Sequence, residues 1–102
     1  MRGKIIITIL KQFGFTRLQA VLFYAGYKIG PAVMAKLARA AKIPRSSAYY
    51  VMDELLRRRF FATKKMGGRI YYLAASNHQL INMVRQREQL VKKLIQHLTE
   101  DT

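Results

Sequence analysis

The chain has 102 residues, 51% of them apolar, and its 19 Lys and Arg face five acids for a formal charge of +14. That length fits one domain, that apolar content is that of a folded protein, and that charge calls for a polyanionic partner, nucleic acid being the commonest because each phosphate neutralised releases counterions. With no cysteine there is no disulfide framework, zinc ribbon or thiol chemistry, and Asp53, Glu54, Glu88, Glu100 and Asp101 form no spaced pair with a histidine, so no enzymatic centre is expected.

Arg2 and Lys4 flank the run IIITIL, whose six residues fall short of the ~7–15 of a signal-peptide core. No small-residue cleavage site follows, and the run reads as the buried face of a short element. No stretch approaches the ~20 apolar residues of a membrane span, so the expectation is a soluble cytoplasmic protein, associated with the nucleoid and without a membrane partner. Gly14 stops the first element and Thr16 caps the next helix, expected over residues 17–28 with Leu18, Val21, Leu22 and Ala25 as its buried stripe. Gly30-Pro31 breaks that helix.

A short helix follows over residues 33–40, with Met34, Leu37 and Ala38 at helical spacing, and residues 41–44 turn into a third helix over 45–58. Pro44 starts that helix, and its expected cap is either the Ser46 side chain or the backbone next to Arg45. Two short helices around a tight turn outline a helix-turn-helix. Ala48, Val51, Met52 and Leu55 share one face of the third helix and point to the core, which leaves Arg45, Ser46, Ser47, Tyr49, Tyr50 and Asp53 outside. Arg45 is the first candidate for a guanine or phosphate contact; Ser46 and Ser47 suit either DNA or the helix start. For the tyrosines two packings stay open, both exposed or one in the core. Arg57-Arg58-Arg59 reads as a solvated run that favours the helix dipole, and Lys28, Lys36, Arg39 and Lys42 as a dispersed attraction for phosphates.

Beyond the third helix the periodicity changes to that of strands: residues 60–64, a Gly67-Gly68 turn and residues 69–73 form a hairpin. Lys64, Lys65 and Arg69 stand at its tip, suited to a phosphate backbone or minor groove. Ser76 or Asn77 then caps a last helix running to about residue 98, along which Leu80, Val84, Arg87, Val91, Leu94 and Leu98 make a coiled-coil seam. A stripe that long needs a second copy of the chain, with the pairing direction open and some help from the 5–10 segment. Arg87 interrupts the seam and either pairs with Glu88 of the partner subunit or marks where the helices diverge. His78 and His97 have no neighbouring ligands, so neither metal nor cofactor is assigned.

The segment from Phe15 to Leu73, above all Ile43-Pro44-Arg45-Ser46-Ser47-Ala48-Tyr49 and the wing with GGRIYYLAA, resembles the DNA-binding domain of the TrmB-like transcriptional regulators. The resemblance maps Arg45, Ser46, Ser47 and Tyr49 onto the start of that family's recognition helix. Arg59 stands where the family usually has glycine, so a different helix-to-strand turn is expected. Members usually carry a large effector-binding domain; here one helix follows the wing, so the resemblance implies DNA binding and dimerisation without a small-molecule ligand.

Together these readings predict a mainly α (α+β) fold, a winged helix-turn-helix over residues 1–75 and a long C-terminal dimerisation helix over 76–102. The expected function is that of a homodimeric, sequence-specific regulator on double-stranded DNA, with half-sites about one helical turn, ~10 bp, apart. The alternatives are a non-specific architectural or chromatin-like DNA-binding protein and a winged helix that meets an acidic protein or RNA.

Overall fold

The computed structural model describes residues 2–101; the outer ends of the two expected segments, residues 1 and 102, lie outside them. The elements are α1 (Arg2–Gln12), α2 (Arg17–Ile29), α3 (Met34–Ala41), α4 (Arg45–Arg57), β1 (Phe61–Met66), β2 (Arg69–Ala74) and α5 (Asn77–Asp101). This is a mainly α winged helix-turn-helix with a long C-terminal helix.

The N-terminal apolar run forms a helix, and it does not bury as a block. Ile7 and Leu10 pack against the core while Ile5 and Ile9 are exposed, and no residue of α1 is fully buried. Successive residues of a helix step around its axis, so the five apolar side chains of this six-residue run cannot share one face.

Thr16 caps α2 as expected, in a reciprocal box: the Gln19 backbone N–H donates to Thr16 Oγ1 (3.1 Å) and the Thr16 N–H donates to Gln19 Oε1 (2.8 Å). The buried stripe differs from the expected one. α2 is central, packed by α1, α3, α4 and β2, and it buries Gln19, Ala20, Leu22, Phe23, Ala25 and Gly26. Leu18 is exposed and Val21 half-buried, because the neighbours close over the Leu22–Phe23 side. Phe23 meets Phe15, Phe60 and Phe61 edge-on, with ring centroids 5.9–6.0 Å apart.

The turn between α3 and α4 is closed by Lys42 in the left-handed region (φ 58), whose N–H donates back to Ala38 and Arg39 carbonyls. The same device ends α4. Arg59 takes φ 65, and the Phe60 N–H donates to the Leu55 carbonyl at 2.8 Å. The helix-to-strand turn therefore keeps the glycine-like conformation, contrary to the expected difference, and arginine bears the steric cost of about 1–2 kcal/mol.

The wing is a two-stranded antiparallel sheet with Phe61 opposite Ala74 and Met66 opposite Arg69. Gly67 (φ 56) and Gly68 (φ 76) supply the paired positive φ angles of a two-residue hairpin turn. β1 runs further toward that turn than the periodicity indicated, β2 starts where expected and extends one residue beyond its expected end, and Phe60 belongs to the aromatic cluster instead of β1. Ala32 pairs with Tyr72 as an isolated bridge, tying the wing to the α2–α3 loop.

Ser76, not Asn77, caps α5, again in a box with Gln79 (2.8 and 3.2 Å). No residue of α5 is buried. Of the seam, Leu80 alone packs on the core, while Val84, Val91, Leu94 and Leu98 stay 49–58% exposed. Ile81, Leu90 and Ile95, which the seam pattern leaves out, are exposed beside them.

Candidate nucleic-acid interface

The inward face of α4 is as expected: Ala48, Val51, Met52 and Leu55 are all buried. Anchoring those four leaves Arg45, Ser46, Tyr49, Tyr50 and Asp53 exposed and Ser47 half-buried. Both tyrosines are therefore outside, Tyr50 at 83%. An aromatic ring that open has given up its burial free energy, about 1.5–3 kcal/mol for a large apolar side chain.

Ser46 does not cap α4. The N-cap is Pro44, in extended conformation and with no side-chain hydrogen bond, while its carbonyl accepts from the Ala48 N–H at 3.0 Å. A capping side chain must belong to the extended residue before the helix, and Ser46 already lies inside the first turn. Among the described residues no capping side chain satisfies the free N–H groups at the positive end of α4, a setting that favours an anion. The Arg45 guanidinium lies 5.8 Å from the Tyr49 ring centroid, a contact worth ~0.5–1 kcal/mol when exposed, which holds the arginine along the outer face.

The wing meets the same face. Burial raises the Tyr72 phenol above its ordinary range, and the negative potential of Tyr49 and Asp53 adds to the shift, so β2 lies beside the outer edge of α4. Lys64, Lys65 and Arg69 are all exposed near the hairpin tip. Strand alternation separates them: Lys64 and Arg69 share a face with Tyr71, while Lys65 shares the other with Tyr72 and buried Phe61. Lys65 is thus the wing cation on the side of α4.

The Arg57-Arg58-Arg59 run is less uniform than a solvated face. Arg57 forms an ion pair with Glu54 and holds that carboxyl below its usual range. Arg58 is half-buried, its guanidinium 5.1 Å from the Phe15 ring centroid and 5.2 Å from that of Phe60. Arg59 carries the left-handed turn. Only the spacing of Arg58 from Phe60, two positions on, hinted at this stacking in the sequence.

Charge is unevenly shared. Fifteen of the 19 Lys and Arg lie in residues 1–75 with only Asp53 and Glu54 against them, whereas residues 76–102 hold four cations and three acids. The cationic excess therefore lies in residues 1–75, while exposed large apolar side chains occur in both parts, Ile5, Phe13 and Tyr50 in the first and Leu90, Leu94 and Leu98 in the second. Among the described residues no group of three or more His, Asp or Glu is placed to hold a metal, and no helix is long and apolar enough to cross a membrane.

No protein-family model and no curated protein sequence matches the chain. Solved structures do. TrmBL2, an archaeal chromatin protein with a novel mode of DNA binding, is similar over 98% of this chain and 39% of its own, with TM-score 0.84 and 19% identity. This chain thus spans about two fifths of that protein's length. BpsR of Bordetella bronchiseptica, whose DNA binding is regulated by 6-hydroxynicotinic acid, is similar over 90% of this chain and 70% of its own (TM-score 0.62, 18% identity). The transcriptional regulator Tm0710 of Thermotoga maritima is similar over 95% and 72% (TM-score 0.62, 16% identity). At these identities the likenesses establish the winged helix-turn-helix fold, in keeping with the TrmB-like resemblance of the Phe15–Leu73 segment.

Proposed function

We propose that the protein is a non-enzymatic, sequence-specific regulator that binds double-stranded DNA as a homodimer. Residues 1–75 form the DNA-binding head and residues 76–102 the dimerisation helix. The observation that carries the reading is the outer face of α4, where Arg45, Ser46, Tyr49 and Tyr50 stand exposed on a head with fifteen cations and two acids. α4 enters the major groove by its N-terminal half, where Arg45 and the tyrosines reach base edges. Ser46, Ser47 and the free N–H groups of the first turn meet the flanking phosphates, and Lys64, Lys65 and Arg69 follow the adjacent backbone or minor groove. Binding DNA places the protein in the cytoplasm, on the nucleoid. Val84, Val91, Leu94 and Leu98 bind the second copy, and Leu80 connects that contact to the core of its own head.

A second reading, an architectural protein that coats DNA without sequence preference, is favoured by the superposition on TrmBL2 at TM-score 0.84, against 0.62 for the two regulators, and by the +14 charge. Selection from a randomised duplex library, with a salt titration of the winners against scrambled DNA, separates the two. An enriched inverted repeat with a large specificity ratio supports the regulator; equal, steeply salt-dependent binding to every duplex refutes it in favour of the architectural reading.

A further inference from the structure

A groove of about 510 Å³ runs between the end of α1, the α4–β1 corner and the first half of α5. Phe13, Phe60, Leu80, Met83 and Leu90 give it an apolar floor, and Arg58, Arg59 and Arg87 line it without any acid. The ion pairs among the described residues are Arg57–Glu54 and Lys92–Glu88, so none of these three arginines is matched by an acid among them. The far end of α5 has the opposite character: Leu94 and Leu98 are exposed, and Glu100 and Asp101 lie in the turn beyond them.

We propose that two copies pair through α5 in antiparallel register, each acid-tipped end of α5 seating on the arginine-lined groove of the other copy. This rests on the dimeric reading above and decides the direction that the seam pattern leaves open. The register sets Val91 opposite the partner's Leu94 and Arg87 opposite the partner's Leu98. It spares Leu80, which its own head already covers. Arg87 then lies within about one turn, ~5 Å, of the partner's Asp101, close enough for its long side chain to reach. The interruption in the seam becomes a specificity pair.

Two further features favour the same direction. Each head joins its α5 at the N-terminal end, so parallel pairing would crowd two heads of fifteen cations and two acids together at one end. Antiparallel pairing sets the two Leu80 positions ~37 Å apart along the axis, well beyond the ~8 Å over which salt screens charge. That separation is close to the ~34–36 Å between successive faces of one groove of DNA.

The test uses the full, cysteine-free chain. Analytical ultracentrifugation first reads the oligomeric state; a monomer at micromolar concentration overturns the dimeric reading and this one with it. Disulfide trapping then reads the direction, since a disulfide needs Cα atoms within ~7 Å. Arg87→Cys chains mixed with Leu98→Cys chains are expected to cross-link, and Leu98→Cys alone is not, its two copies being ~17 Å apart along the axis. A dimer in which Leu98→Cys links to itself, or in which the mixture does not link, leaves dimerisation standing and overturns the register. Independently of cysteine, Arg87→Glu is expected to weaken dimerisation on the order of tenfold, since two-fold symmetry counts each pair twice. Adding Asp101→Arg in the same chain should restore it; no restoration refutes the pairing of Arg87 with Asp101.

Discussion

Gly26→Ala puts two effects of similar size in opposition, and the structure decides between them. In an isolated helix the change stabilises by about 1 kcal/mol, because alanine loses less backbone freedom on folding. Here a Cβ on Gly26 would stand 2.6 and 2.7 Å from two carbons of the Phe61 ring, where carbon pairs settle at about 3.5–4.0 Å. The ring must withdraw by roughly 1 Å, yet Phe61 is buried and packs edge-on to Phe23 at 6.0 Å. Overpacking of this kind costs about 1–3 kcal/mol, so the net loss is about 1 kcal/mol, or a melting temperature lower by ~4–8 °C for a domain of this size. Thermal and urea unfolding followed by circular dichroism, at one protein concentration because the stability of the proposed dimer would depend on it, measures the change. In a Phe61→Leu background the shorter side chain vacates the space, and the same Gly26→Ala change should then stabilise by about 1 kcal/mol. A rise in melting temperature for Gly26→Ala alone would show that Phe61 does not occupy that space, and the reasoning would fail.

Arg59→Gly relieves the left-handed strain and should raise stability by about 1 kcal/mol in the same unfolding assay; a loss would mean that the arginine side chain contributes more than its backbone costs. Arg45→Ala should weaken the selected site by about 1–3 kcal/mol and relax preference at one base position if it reads a base. Fluorescence anisotropy against cognate and scrambled duplexes distinguishes that outcome from a uniform loss, which would make Arg45 a phosphate contact. Lys65→Ala should lower the slope of log affinity against log salt by about one, and an unchanged slope would take this side chain off the phosphates. Tyr72 should ionise above its ordinary value near 10.0, moving down in Asp53→Asn when followed by NMR of labelled tyrosines. Because its folded pKa is raised, the stability it contributes is full below pH ~10 and is lost as pH rises through the folded value; an unshifted phenol would contradict its burial beside α4.

Local chemistry made much of this architecture legible along the chain. The Thr16 box, the Gly67-Gly68 turn, the proline entry to α4 and the spacing of Ala48, Val51, Met52 and Leu55 each depend on residues a few positions apart, whose geometry short-range sterics and hydrogen bonding dictate. The outer face of α4 followed in outline, since fixing four inward positions on a helix constrains the others, but the packing of Tyr49 and Tyr50 stayed open until the structure showed both exposed. Ser46 was misjudged because capping turns on which residue is the last extended one, and boundaries are the least certain part of a periodic pattern. Leu18 was misjudged because periodicity gives the width of an apolar stripe, while the neighbours of a central helix choose which side of it is covered.

The sequence by itself determined the helix-turn-helix and wing, the concentration of positive charge in residues 1–75, and the existence of an apolar stripe on the last helix. Only the tertiary structure decided that Gly26 makes room for Phe61, that Arg58 stacks on Phe15 and Phe60 while Arg57 pairs with Glu54, and that Tyr72 ties the wing to Ala32 in the α2–α3 loop. Except for Arg57 with Glu54 and Arg58 with Phe60, three and two positions apart, these contacts unite residues distant in the chain. Their geometry is set by how helices and strands close over one another, which no window of consecutive residues contains.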